Sequence, residues 1–411
     1  MHSLQFIPVL QIAFAGIISA STTIPLVSTG FGTVFDAPMK IGNQSFQMLV
    51  DTGSSDTYVM QAGYICIDSE SNLEISQNDC LYGKAYHSSR TQRRIANETF
   101  GIKYGDGIAS GFMAYEQVSL GNVTVKKQKV GIADRSNPMG DGVNSGLLGL
   151  AYPSITSAHP GNQTDNTTYW YNRLPYDPLV NTMYKQGSIE PYFSLALARS
   201  PHNQSTAFGG YLTLGGLPPV SYSPEFSVVP VEIMDIPANF TSGKRVFVDS
   251  GNYITYLPSI VVDRVNGMFS PPAVYNETLQ AAVVDCAAVA PQFGLKIGNE
   301  TFFHNGSDLL FQVSDELCVT SLVASEEISL DGLSVNILGV SFLKNVLTVF
   351  DFGRNEMRFA KLLDVEKNGT GLPETETQSP KFSGGVREML IPSSGFVSLL
   401  VSLGLIFGLG A

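Results

Sequence analysis

The chain has 411 residues, 44% apolar and 15% charged, with a formal charge of −12 and no basic run. That length calls for more than one small core, and that composition excludes a disordered chain. Acidic balance without a Lys/Arg cluster argues against a nucleic-acid partner.

In chain order, residues 6–20, FIPVLQIAFAGIISA, form an apolar run of signal-peptide length that ends on small residues. Residues 1–20 are therefore expected to be an export signal. Short runs of Val, Ile, Leu, Tyr and Phe between turn residues follow, as in APMKIGNQSFQMLVDTG, ETFGIKYGDG and VSLGNVTVKKQKVGIA. They predict strands in hairpins, with turns at Gly42-Asn43 and Gly121-Asn122. Residues 156–175, polar and holding the single Trp, predict an exposed loop. Helices are expected in YDPLVNTMYKQG (176–187), closed by Gly187, and in PSIVVDRVNGMF (258–269), with Pro near its start. The chain thus reads as mainly β.

One pattern occurs twice. MLVDTGSSDTYVM and, about two hundred residues later, VFVDSGNYITYLP each run apolar residues into Asp, a hydroxyl residue and Gly. SGLLGLAYP places Gly149 98 residues after Asp51, and VNILGVSF places Gly339 90 residues after Asp249. Two related lobes, divided near LGGLPPVSYSPE (214–225), are the economical explanation.

Residues 364–395, without apolar periodicity, read as a linker, and FVSLLVSLGLIFGLGA (396–411) is apolar to the last residue. The small residues Ser383-Gly384-Gly385, a spacer and this tail match the signal for a glycolipid (GPI) anchor, attached at Ser383 or Gly384. The stalk would then be 364–385 and the removed signal 386–411. Eleven N-x-S/T sequons agree with export: Asn43, Asn97, Asn122, Asn162, Asn166, Asn203, Asn239, Asn276, Asn299, Asn305 and Asn368. Cys66, Cys80, Cys286 and Cys318 fit two disulfides in an oxidising compartment, with three pairings open. No Cys/His spacing suggests a metal, and no cofactor is expected.

The paired elbows suggest a chemistry. Gly53 and Gly251 let backbone N–H groups approach the carboxylates of Asp51 and Asp249, and Thr52 and Ser250 supply hydroxyls to join the two turns. Two carboxylates side by side cannot easily both ionise, so the pair shares a proton over an acidic range. Such a pair can hold a water, take its proton with the ionised member and hydrogen-bond a substrate carbonyl with the other.

VDTGSSDTYV, IKYGDGIASG, SGLLGLAYP, VDSGNYITYLP and NILGVSFLKNVLTVFDFGRNEMRFA together resemble the pepsin-type aspartic proteases, in order, over residues 31–363. The resemblance implies a bilobal β fold with a cleft between an N-terminal lobe (25–215) and a C-terminal lobe (216–363). It makes Asp51 and Asp249 the catalytic pair, with Thr52, Gly53, Ser54, Ser250, Gly251 and Asn252 in support. Tyr104, Gly105 and Asp106 match the flap that closes over substrate, and Cys66–Cys80 and Cys286–Cys318 match two family disulfides. The expected protein is a monomeric endopeptidase cleaving polypeptides at acidic pH. Surface-anchored relatives in fungi point to the outer face of the plasma membrane or the cell wall.

Four departures qualify the resemblance. Tyr58 stands where the family carries a Trp that supports the flap Tyr. No activation segment is visible before Asp51. Asn252 replaces a hydroxyl residue that bonds the outer oxygen of the second carboxylate; its NH₂ is expected to reach that oxygen instead. Tyr253 replaces a small hydroxyl residue and is expected to narrow the cleft. The alternative reading is an impaired member of the fold that binds peptide or carbohydrate at the cell surface.

Overall fold

The computed structural model describes residues 21–104, 107–162, 172–201, 204–232, 245–314, 317–327, 329–330, 333–364 and 406–408. The export signal, most of the linker and tail, Ser383, Gly384, Gly105, Asp106 and the sequons at Asn166, Asn203, Asn239 and Asn368 lie outside the described residues. The seven described sequon asparagines are all exposed.

Strands dominate, as the short apolar runs between turn residues predict. Six described strands run through both halves in the spatial order Thr22–Thr29, Ala207–Leu214, Tyr192–Leu197, Val346–Asp351, Glu356–Asp364 and Ser227–Glu232. Each is antiparallel to the next. The rung between Phe193 and Phe350, whose rings stack at 4.6 Å, joins the two halves at its centre. Both rings are buried, so the junction is part of the core rather than a wet contact between domains.

Each half then builds one elbow in the same way. In the first, Val34–Ile41 and Gln44–Asp51 form a hairpin whose turn residues Gly42 and Asn43 have φ of +54° and +65°, the signature that the Gly-Asn pair predicts. Gln44–Asp51 runs parallel to Gly146–Gly149, and Thr57–Ile67 packs antiparallel on that short strand's other side. In the second, Arg245–Val248 runs parallel to Asn336–Leu338, and Thr255–Leu257 touches the other side at Tyr256–Ile337. The apolar-apolar-Gly echo therefore has a structural cause: a strand passes beneath each elbow, between its two arms. A Cβ on Gly149 would meet Ser55 C at 2.4 Å, and one on Gly339 would meet Ile254 O at 2.2 Å.

The two expected helices form at Leu179–Lys185 and Ser259–Asn266, each begun by a Pro cap at 178 and 258. Gly187, at φ +74°, follows the first. The predicted exposed loop 156–175 needs correction at its start. Thr156, Ser157, Ala158 and His159 are buried, and Ala158–Pro160 pairs with residues 98–100. His159 Nε2 bonds Gly101 O at 2.9 Å, so polar character there reflects partnered burial rather than exposure.

Disulfides join Cys66 to Cys80 and Cys286 to Cys318. A short strand of the apolar tail, Ile406–Gly408, pairs with Val231–Glu232 and with Arg245–Phe247. No helix among the described residues is long and apolar enough to cross a membrane.

Candidate active site

Asp51 ends one strand and Asp249 follows another, and both are buried. Burying carboxylates demands compensation, and the adjacent residues supply it. Gly53 N–H donates to Asp51 Oδ1 at 2.7 Å, and Gly251 N–H donates to Asp249 Oδ1 at 2.9 Å. Ser54 Oγ donates to Asp51 Oδ2 at 2.5 Å.

The elbows are locked to each other by their second residues. Thr52 N–H donates to Ser250 Oγ at 3.1 Å, and Ser250 N–H donates to Thr52 Oγ1 at 3.0 Å. Each hydroxyl then donates across to the opposite strand: Thr52 Oγ1 to Val248 O at 2.8 Å and Ser250 Oγ to Val50 O at 2.7 Å. A residue with no hydroxyl could fill neither role. The lock brings the carboxylates together: a Cβ on Gly251 would stand 2.7 Å from Asp51 Oδ1 and 3.2 Å from Asp249 Oδ1. Glycine at 251 is thus required by the crowding of two acids.

Asn252 does not do what its amide suggested. Its Oδ1 accepts Ile254 N–H at 3.0 Å, and its Nδ2 has no hydrogen-bond partner. The expected donation to Asp249 is not made, because the nearby N–H two residues on captures the side chain in a local turn. Tyr253 is buried, with its hydroxyl donating to Leu310 O at 3.2 Å and its ring 5.1 Å from Phe311. Its ring packs into the C-terminal half.

Tyr104 leaves the hairpin Arg93–Lys103/Ile108–Leu120 just past its last rung, Lys103–Ile108. Tyr104 N–H donates to Gly107 O at 2.8 Å, and the side chain is buried. Burial pushes its hydroxyl well above the usual tyrosine range, and the charges of Asp51 and then Asp56 push further, which places Tyr104 within electrostatic reach of the dyad. Tyr58, the residue in place of Trp, is buried with its ring 5.1 Å from Phe100. The Tyr58 hydroxyl lies close enough to that of Tyr104 to affect its titration. A phenol and its apolar ring therefore pack against the strand Arg93–Lys103.

Two neighbours of the site escaped the sequence reading. Asp56, fully buried, accepts Ser157 N–H at 2.9 Å and the Tyr176 hydroxyl at 2.6 Å, which ties Ser157 and Tyr176 to the first elbow. Burial raises its pKa. An acid five residues after Asp51, just before the strand Thr57–Ile67, was the available signal. Asn137 bonds the flap hairpin, and nothing in its local sequence marked it. Among the described residues no group of three His, Cys, Asp or Glu side chains is placed to hold a metal.

Residues 35–362 match the family of eukaryotic aspartyl proteases. A probable aspartic-type endopeptidase of Aspergillus fumigatus is 40% identical over 366 residues, 82% of this chain and 80% of that one. Mucorpepsin of Rhizomucor miehei is 28% identical, over 80% of this chain and 79% of that protein. In structure, the chain resembles an aspartic proteinase from Irpex lacteus with a TM-score of 0.63 and 19% identity, over 84% of this chain and 98% of that one. The chain belongs to the eukaryotic aspartyl protease family, and it is an aspartic endopeptidase.

Proposed function

We propose that Asp51 and Asp249 are its catalytic pair, that they hydrolyse peptide bonds at acidic pH, and that the enzyme works as an exported, surface-anchored monomer. The observation that carries the catalytic assignment is the reciprocal Thr52–Ser250 lock, which crowds both inner carboxylate oxygens around Gly251. A single chain supplies both acids, so a second copy is not needed to complete the site.

Asp51 takes the Gly53 N–H and the Ser54 hydroxyl, and hydrogen bonds to a carboxylate favour its charged form. Asp51 is therefore the ionised member and Asp249 carries the shared proton. Asp51 removes a proton from water as it attacks the substrate carbonyl; Asp249 donates to the carbonyl oxygen as it becomes a gem-diol hydroxyl. Asp51 then passes its proton to the scissile nitrogen while a gem-diol hydroxyl returns one to Asp249, and the C–N bond breaks to leave a carboxylic acid and an amine. Tyr104 closes the site against solvent.

Exchange of either acid, Asp51→Asn or Asp249→Asn, tests the assignment. Cleavage of a mixed peptide library at about pH 4 should fall by roughly 10²–10⁴-fold in each variant. Undiminished activity in either would overturn it. Export and anchoring rest on the apolar N-terminal run, seven exposed sequons and the small-residue, spacer and apolar-tail pattern. In that reading the strand Ile406–Gly408 belongs to the unprocessed chain. Release from cells by a phosphatidylinositol-specific phospholipase, with a mature C-terminus at Ser383 or Gly384, is expected; a mature chain that keeps residues 386–411 would end the anchor proposal.

A further inference from the structure

Asn137 stands one residue past the strand Val123–Ser136, which runs between two neighbours. On one side it is antiparallel to the flap's return strand, with Ala109 opposite Ser136. On the other it is parallel to Thr57–Ile67, with Cys66 opposite Ser136. Where this ladder ends, the side chain of Asn137 continues it in both directions. Its Oδ1 accepts Ile108 N–H at 2.8 Å, and its Nδ2 donates to Ile67 O at 2.7 Å. Its own N–H donates to Ile108 O at 3.1 Å. The residue is buried, and its bond to Ile67 O is made away from water.

The amide thus fastens the flap hairpin to the strand beneath it. Ile108 is the rung on which the hairpin turns back, one residue past Gly107, whose carbonyl receives Tyr104 N–H. Ile67 ends the same strand that carries Tyr58. The base of the hairpin that leads to Tyr104 is therefore tied by one side chain to the far end of the strand that carries Tyr58. Gly107 fits the same account: a Cβ there would meet Asn137 Cβ at 2.6 Å and Oδ1 at 2.7 Å. Glycine at 107 is required by the close approach of Asn137.

We propose that Asn137 is a positioning residue of this protease, pinning the flap hairpin to Thr57–Ile67 and so fixing where Tyr104 stands relative to Asp51. The proposal rests on the reading of Tyr104 as the flap residue. Asn137 touches neither substrate nor dyad; it acts through Tyr104. Its loss should therefore matter only while Tyr104 is present.

A double-mutant cycle on peptide hydrolysis tests this, with Tm followed in parallel. Asn137→Ala should lower kcat/KM by about tenfold or more, chiefly through kcat, since a misplacement of about 1 Å can cost 10²-fold. In a Tyr104→Ala background the same exchange should cost less than about twofold, the mark of two residues acting as one unit. Equal losses in both backgrounds would overturn the proposal, because a merely structural Asn137 would be felt in both. Should Asn137→Ala not fold, Asn137→Asp keeps the acceptor for Ile108 N–H but sets an acceptor where the donor to Ile67 O stood, and Gly107→Ala presses on the same contact from the other side. Each is expected to show the same dependence on Tyr104, and additivity in them would be equally fatal. Tyr104→Ala with full activity would remove the flap reading and the proposal together; additivity alone removes only the proposal.

Discussion

At the first elbow Asp51 takes Gly53 N–H on one oxygen and Ser54 Oγ on the other. At the second, Asp249 takes Gly251 N–H, while Asn252 turns its side-chain oxygen to Ile254 N–H. Below the carboxylates the two are nearly superimposable in bonding: Thr52 and Ser250 exchange matched bonds with each other and with Val248 and Val50. The residue before each Gly joins the halves, and the residue after it bonds the acid at the first elbow but a backbone N–H at the second. The first task is symmetric and tolerates only a hydroxyl. The second is not: Ser54 gives Asp51 a hydroxyl donor that Asn252 does not match at Asp249.

The largest effect should come from breaking the symmetric part. Thr52→Ala strands the Ser250 N–H and the Val248 carbonyl; Ser250→Ala strands the Thr52 N–H and the Val50 carbonyl. Each exchange should cost about 2–5 kcal/mol, at about 1–3 kcal/mol per buried group left without a partner. Denaturant unfolding measures both. Losses that differ by more than about 2 kcal/mol would mean that matched geometry hides unequal roles.

A second contrast between the halves concerns buried titratable groups. In the N-terminal half burial, and then the neighbouring charge of Asp141, raises the pKa of Asp36 well above the carboxylate range; Tyr82 and Thr29 also face this pair. In the C-terminal half burial lowers His304 to about 4 from 6.5. The signs oppose. Native Asp36 holds its proton where the unfolded chain has lost it, so stability falls as pH rises above the unfolded carboxylate value. Native His304 stays neutral where the unfolded chain is protonated, so stability is lost as pH falls from 6.5 to about 4. The His304 share is on the order of 3 kcal/mol at the acid end. His304→Phe, which keeps a ring against Phe293 and Phe342, should raise Tm near pH 4 and leave it unchanged near pH 8. Asp36→Asn should do the reverse, stabilising near neutrality only. A Tm gain at neutral pH for the first exchange, or at acid pH for the second, would erase the contrast.

Ser54→Ala comes next. It removes a hydrogen bond to the ionised acid, worth roughly 1.5–3 kcal/mol. Asp51 then ionises less readily, so the acidic limb of the kcat/KM profile should move to higher pH as turnover falls by about tenfold or more. An unmoved limb would deny Asp51 the ionised role.

Much of this was legible because it is local. Asp, hydroxyl and Gly in succession dictate an elbow, a Gly-Asn pair dictates its turn, and Pro and Gly bracket Leu179–Lys185 and Ser259–Asn266. What stayed hidden depends on partners far along the chain. Phe193 meets Phe350 across the interlobe sheet, Ser157 N–H meets Asp56, and Asn137 bridges Ile67 and Ile108. Polarity alone made residues 156–159 look exposed, because their partners, backbone groups and the Asp56 carboxylate, lie far along the chain or are ones no composition reveals. Asn252 was misjudged for a different reason. Two partners compete for one short side chain, and the nearer N–H, only two residues away, wins.

That competition yields the smallest and sharpest effect. Since Nδ2 of Asn252 makes no hydrogen bond, Asn252→Ala removes only the cap on Ile254 N–H, a loss of about 0.5–1.5 kcal/mol in stability. The pH profile should stay where it is. Asn252→Ser differs in kind, because a hydroxyl at this position matches Ser54 at the first elbow and can donate to the outer oxygen of Asp249. Donation would favour the charged form of Asp249 and draw the two acids closer in affinity for the shared proton. The basic limb of kcat/KM should then move to lower pH, with a change in turnover of no more than about fivefold. If Asn252→Ala itself moves that limb, the amide reaches Asp249 in the working enzyme and the elbows are more alike than their resting bonds. If neither exchange moves it, the residue after the second Gly handles no charge at all, and the inequality of the two acids must come from Ser54 alone.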